Sequence, residues 1–336
     1  MEPLIRVEGL RKTYLTNNSL IARALGTVRQ VHAVDEVDLE IRRGETLGVV
    51  GESGCGKSTL ARCLMLLERP TAGSITSGGR NIVALRRGEL RWFRQNTQMV
   101  FQDPQSSLNR SKTIFQILRN PLDIHSKVKG TEEARRRITE LLQLVGLHAG
   151  FIDRYPHELS GGQRQRIGIA RALAVEPEVL ILDEPVSALD VSIQAQVINL
   201  LDRLQRDLKL TYVFISHDLN LVRYLSDRVA VMYLGRIVEI GDVDQVFERS
   251  AHPYTQLLLA AAPTLDPDQR GEDVEIIGEV PSPINPPSGC AFHPRCPHRF
   301  APCDKIRPER LALEGGGEAA CHLHDPEHTR KASSLG

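Results

Sequence analysis

Gly51-Glu52-Ser53-Gly54-Cys55-Gly56-Lys57-Ser58-Thr59 decides how the rest of this 336-residue chain is read. It follows the β-branched positions Thr46, Val49 and Val50 and opens the apolar-periodic segment Leu60, Cys63, Leu64, Leu67. That order predicts a strand, a glycine-rich turn and a helix start, the setting a phosphate-binding P-loop requires. Glycines at 51, 54 and 56 let the backbone curl so that consecutive N–H groups face inward, at the positive end of the helix dipole. Lys57 would reach the β- and γ-phosphates of a nucleotide, and the Ser58 hydroxyl would ligate Mg²⁺. A plain glycine-rich strand-to-helix turn is the alternative. Gly-x-x-x-x-Gly-Lys-Ser in this setting outweighs it.

The totals fit a large α/β domain with a smaller appendage, a size at which burial needs no disulfide staples. Lys+Arg and Asp+Glu are both 42, so the formal charge is zero and nothing global argues for nucleic acid or an anionic membrane surface. The N-terminus Met-Glu-Pro-Leu-Ile-Arg-Val-Glu lacks the basic and apolar regions of a signal peptide, and no apolar run approaches the ~20 residues of a membrane span. A soluble cytosolic chain is expected, whose six cysteines are thiols or metal ligands rather than disulfides.

Upstream of the loop, residues 4–14 and 31–50 read as strands, with period-two alternation over Val37-Asp38-Leu39-Glu40-Ile41; Leu15 to Gln30 between them reads as an exposed insertion. Tyr14 closes the first strand, where an aromatic face could stack on an adenine; a buried strand tyrosine is the plainer reading. Downstream, Gln98-Met99-Val100-Phe101 is a short strand delivering Gln102 into the loop Asp103-Pro104-Gln105-Ser106-Ser107, where a glutamine could complete a Mg²⁺ shell or merely cap backbone. Thr131 is expected to cap a helix with Glu132 and Glu133 at its positive end, an apolar stripe at Ile138, Leu141, Leu142 and Val145, and Gly146 beyond its C-terminus. Residues 110–156 thus read as a helical insertion.

Leu159-Ser160-Gly161-Gly162-Gln163 then starts another helix: Ser160 is a natural N-cap, and two glycines leave its N-terminus bare enough for a phosphate. Val179-Leu180-Ile181-Leu182-Asp183-Glu184 is an apolar run ending in two acids, as a buried parallel strand delivering carboxylates to its C-terminal edge would be. Asp183 suits Mg²⁺, and Glu184 suits polarising the attacking water. Ser187-Ala188-Leu189-Asp190 leads into a helix over Ile193 to Leu204, and the β-rich run Thr211 to Ile215 ends at Ser216-His217-Asp218, with His217 placed to sense a γ-phosphate.

In this order the segments resemble the nucleotide-binding subunit of an ATP-binding cassette (ABC) transporter over residues 4 to about 250. The matching motifs are an aromatic A-loop at Tyr14, Walker A at 51–59, a Q-loop at Gln102, the signature at 159–163, Walker B at 179–184, a D-loop at 187–190 and a switch histidine at His217. The resemblance implies an α/β P-loop NTPase fold with a RecA-like core, an antiparallel β subdomain and a helical subdomain at about 105–170. It also implies that one subunit's Ser160, Gly161, Gly162 and Gln163 meet ATP held by another, so that two cassettes close head to tail on two ATP molecules. His252-Pro253-Tyr254-Thr255 and Ile284 to Cys296 resemble the C-terminal extension, residues 251–336, of dipeptide and oligopeptide importer ATPases. Implied partners are a second ATPase subunit, a heterodimer being favoured, two transmembrane permease subunits and an extracytoplasmic peptide-binding protein, with the chain peripheral on the cytoplasmic face of the membrane. The same ATPase serving nickel or glutathione stays open. A soluble ABC ATPase acting on nucleic acid or ribosomes is the rival of another class, disfavoured by the balanced charge and the single cassette.

From Ala261 to Pro287 the chain reads as a linker with one small strand at Val274 to Ile277. Cys290, Cys296, Cys303 and Cys321 follow, separated by five, six and seventeen residues. Four thiolates suit an iron–sulfur (4Fe-4S) cluster or a tetrahedral Zn²⁺, and His293, His298, His322 and His324 keep a mixed zinc site open. The resembled subfamily favours the cluster. Cys55 and Cys63 are expected only to fill space.

Overall fold

The computed structural model describes residues 3–16, 29–86, 88–103, 107–261, 279 and 281–328. Along them the strands are β1 (Ile5–Thr16), β2 (Arg29–Ile41), β3 (Thr46–Val50), β4 (Ala72–Ser77), β5 (Arg80–Asn81), β6 (Thr97–Val100), β7 (Val179–Asp183), β8 (Thr211–Ile215), β9 (Arg228–Tyr233), β10 (Arg236–Asp242), β11 (Leu311–Ala312) and β12 (Glu318–Ala319). The helices are α1 (Lys57–Leu64), α2 (Leu90–Asn96), α3 (Ile114–Ile124), α4 (Thr131–Leu144), α5 (Gly161–Leu173), α6 (Val191–Leu208), α7 (Leu219–Leu225), α8 (Val243–Glu248) and α9 (Pro253–Ala260). The chain forms two compact units, one of Met1–Leu4, Ile41–Thr46 and Ala84–Ser216, the other of Ile5–Glu40, Leu47–Val83 and His217–Gly336.

In the first unit β8, β7 and β6 lie side by side in that order, all parallel. Every residue of β7 and β8 is buried, which is why both read as unbroken apolar runs rather than alternating ones. The helices supply the cover. Ala134, Ile138, Leu141 and Leu142 form the buried stripe of α4, and Gly146 takes the positive φ of 72° expected past its end. The expected cap at Thr131 is corrected: Gly130 is the N-cap and Thr131 the first helical residue. Strands β6 and β7 run in the register Thr97↔Val179 to Val100↔Leu182, which sets what stands beside what at their C-terminal ends.

In the second unit β2, β1, β4 and β5 make a sheet in that order, with β1 antiparallel to β4 and β4 to β5. A separate run of strands is ordered β11-β12-β10-β9-β3, with β3 parallel to β9 and β10 antiparallel to it. The C-terminal hairpin β11–β12 joins through Glu239↔Ala319, so residues far beyond the phosphate loop belong to the same unit as that loop. Leu67, expected on the buried face of α1, lies past the helix end and is 54% exposed. The expected strand at Val274 to Ile277, residues 17–28 of the insertion and Pro104 to Ser106 lie outside the described residues. Among those described, no helix is long and apolar enough to cross a membrane.

Candidate functional site

The glycine-rich loop leaves buried strand β3 and enters α1 as anticipated. Gly51 has φ 149°, and a Cβ there would lie 2.1 Å from the Met232 carbonyl oxygen; Gly56 has φ 109°, and a Cβ would lie 2.0 Å from that of Ala33. Both positions are closed to any side chain, by contact as well as by conformation. Lys57 is buried, and its Nζ donates to the carbonyls of Gly51 at 2.7 Å and Glu52 at 3.0 Å, bending the side chain back over the loop. Ser53 and Gly54 form the exposed rim, Ser58 and Thr59 are half-buried at the head of α1, and Cys55 is a buried filler whose thiol burial pushes up.

The contacts that Tyr254 and Arg295 make to Glu52 were not anticipated. Glu52 donates its backbone N–H to the Tyr254 hydroxyl at 2.9 Å, and its carboxylate accepts a bidentate pair from Arg295, Nη1 at 2.8 Å and Nη2 at 2.9 Å. The Arg295 side chain is only 3% exposed, and this ion pair holds its guanidinium firmly charged. Beneath it Tyr233, Tyr254 and Phe292 make an aromatic cluster with ring centroids 4.6–5.4 Å apart. Tyr254 and Phe292 lie within the two tail motifs that suggested a peptide-importer extension. Nothing in their spacing pointed to the loop, because the contacts span more than 200 residues of chain.

In the first unit the acids stand where the apolar run predicted. Asp183 ends β7 and is buried; Glu184 follows with φ 46° and its N–H on the Ile215 carbonyl at 2.9 Å. That left-handed turn aims consecutive carboxylates differently, the condition for two roles. Extending the β6–β7 register by two residues sets Gln102 beside Glu184, and Gln102 Nε2 donates to Glu184 Oε2 at 2.8 Å. Ser160 caps α5 in a reciprocal box: Gln163 N–H donates to Ser160 Oγ at 3.3 Å and Ser160 N–H to Gln163 Oε1 at 3.0 Å. Gly161 and Gly162 supply the other first-turn N–H groups, which an α-helix cannot satisfy itself. Arg164 and Arg166 donate to the Leu159 and Val145 carbonyls.

Tyr14 is half-buried in β1 with Lys12 Nζ 4.9 Å from its ring centroid, and His217 is exposed just before Asp218, the N-cap of α7. The four tail cysteines come together along one narrow cavity of about 10 Å³. Burial pushes the Cys290 thiol up to about 11 and the Cys321 thiol up to about 12.

Residues 34–187 match the family described as ABC transporter, and residues 238–303 the family described as oligopeptide/dipeptide transporter, C-terminal region. The chain is 48% identical to the dipeptide transport ATP-binding protein DppF of Escherichia coli (strain K12), over 97% of this chain and 96% of that one. It is 51% identical to the putative oligopeptide transport ATP-binding protein YkfD of Bacillus subtilis (strain 168), over 91% and 94%. Among solved structures, a post-hydrolysis dimer of the ATP-binding cassette MJ0796 bound to ADP and Pi superposes with a TM-score of 0.63 at 29% identity, covering 71% of this chain and 98% of that one. The iron–sulfur expectation is corrected by these matches, whose descriptions carry ATP binding and transport and no such group. The glycine cradle, the paired acids and the capped signature helix, with a tail matching the transporter extension, place this chain in the ABC transporter ATP-binding family, in its oligopeptide and dipeptide branch.

Proposed function

We propose that this chain is the ATP-hydrolysing subunit of an importer of dipeptides or oligopeptides, working at the cytoplasmic face of the membrane. The observation that carries the reading is the glycine cradle with buried Lys57 folded over it, in a chain whose tail matches the oligopeptide/dipeptide region. Lys57 exchanges its loop carbonyls for the β- and γ-phosphates of ATP, while the loop N–H groups from Gly51 to Thr59 surround them. Tyr14 stacks on the base. Ser58, Gln102 and Asp183 are the residues that would hold Mg²⁺, and the ion would supply positive charge against that building on the phosphate oxygens. Glu184 takes the proton of the attacking water, held in position by Gln102, and His217 contacts the γ-phosphate. Ser160, Gly161, Gly162 and Gln163 serve ATP bound to a second cassette, a related subunit rather than a copy. Loss of the γ-phosphate removes the bridge between cassettes, and Gln102 and the helices of residues 105–170 carry the opening to two permease subunits fed by an extracytoplasmic peptide-binding protein.

The test is reconstitution in vesicles with the partner cassette, the permease pair and the binding protein. ATP hydrolysis should rise when the binding protein is loaded with a dipeptide or oligopeptide. Stimulation by nickel or glutathione and not by peptides would reassign the cargo, and robust hydrolysis indifferent to the membrane subunits would remove the transport role.

A further inference from the structure

Near the C-terminal end of the described residues, His322, Asp325 and His328 bring one donor atom each to within 4.8 Å of one another. The backbone arranges this: Asp325 N–H bonds the His322 carbonyl at 3.2 Å and His328 N–H the Asp325 carbonyl at 3.2 Å. Two successive i→i+3 turns stack positions 322, 325 and 328 on one face.

The state of His322 gives the cluster its chemistry. The residue is 3% exposed, and its Nε2 lies 2.8 Å from the Ile306 carbonyl, an acceptor only, so the ring proton sits on Nε2. The lone pair is therefore on Nδ1, which is buried without a hydrogen-bond partner. A buried imidazole with one nitrogen anchored to a carbonyl and the other bare costs stability unless something accepts that lone pair. Metal-bound histidines are oriented in this way. Asp325 is also held: Oδ1 accepts the Glu327 N–H at 2.9 Å, and Oδ2 meets His328 Nδ1 at 2.6 Å.

We propose that His322 Nδ1, an Asp325 carboxylate oxygen and a ring nitrogen of His328 bind one divalent transition-metal ion of the Zn²⁺ class, separate from the four cysteines. Two imidazoles and a carboxylate suit zinc, cobalt or nickel better than magnesium or calcium, which take oxygen ligands. Ligands at about 2.1 Å from a tetrahedral ion stand roughly 3.4 Å apart, so the turn closes slightly on binding, and the neutral His328 ring keeps its proton on one nitrogen while the other ligates. The ion would tie the end of the extension to the segment at Ile306, a structural site outside the nucleotide machinery.

The experiment uses the tag-free full chain, reduced, stripped with chelator and titrated with Co²⁺. One equivalent should bind with d–d absorption and without thiolate-to-cobalt charge transfer, and Zn²⁺ should displace it. H328A and D325N should each weaken that equivalent by more than the about 10- to 100-fold carried by a residue that only orients a ligand, while C290S should leave it unchanged. Absence of a bound equivalent in the wild-type chain, charge transfer accompanying it, or unaltered affinity in D325N would each overturn the assignment.

Discussion

Arg295→Met is the most informative single change, because it cuts the tie between the C-terminal extension and the second residue of the phosphate loop. The wild-type pair is bidentate, with Arg295 3% and Glu52 18% exposed. Breaking a fully buried pair costs about 3–5 kcal/mol, mostly from the charge left behind; the remaining exposure of Glu52 lets water take up part of that, leaving about 2 kcal/mol. If the tie favours the clamped loop by that amount, its loss lowers the binding-competent fraction and raises the apparent Kd for Mg·ATP by up to ~30-fold. The Tyr254 hydroxyl on the Glu52 N–H remains, so roughly tenfold is expected. Calorimetric titration with Mg·ATP reads it, in R295M, E52Q and the double variant. Since the two side chains act on the loop only as a pair, the double variant should be no worse than the worse single one. Additive losses, or wild-type affinity in R295M, would refute the reasoning.

Glu184→Gln should retain ATP binding and lose at least ~10²-fold in turnover, measured as steady-state phosphate release; wild-type turnover would remove Glu184 as the base. Lys57→Ala should weaken nucleotide binding itself, and undiminished affinity in a filter-binding assay would contradict its role. His252→Asn addresses acid stability. His252 is buried between Phe292, the Glu239 carboxylate bonded to its own N–H and His324; burial, then His324, pushes its pKa down to about 3. Between about 3 and the unfolded value of about 6.5 the unfolded chain holds the extra proton, so this stability is complete above 6.5 and is lost as pH falls through that window. Asparagine keeps an acceptor for the Tyr254 N–H that caps α9, so H252N should lose less stability between pH 7 and 5 in urea denaturation; parallel losses would rule His252 out.

What could be read before the fold was known is what short-range rules govern. The turn 51–59, the capping box at Ser160 and Gln163 and the acids closing β7 are each completed within a few residues by glycine freedom, a side chain meeting its own helix N–H groups, or an apolar run stopping on charge. The Gln102–Glu184 contact needed one further fact, the β6–β7 register, which no local pattern specifies. The cap at Gly130 rather than Thr131 was missed because either residue suits that position and the chain entering the helix decides.

By itself the sequence determined the class of fold, the phosphate loop, the acids and the family, because those depend on residue order and on spacing shorter than one turn or strand. Only the tertiary structure decided that Arg295 and Tyr254 hold Glu52, that four cysteines line one cavity, and that His322, whose Nδ1 is bare, shares a cluster with Asp325 and His328. Those depend on which distant segments share a buried volume, and desolvation then fixes which polar atoms must find partners; neither can be counted along the chain.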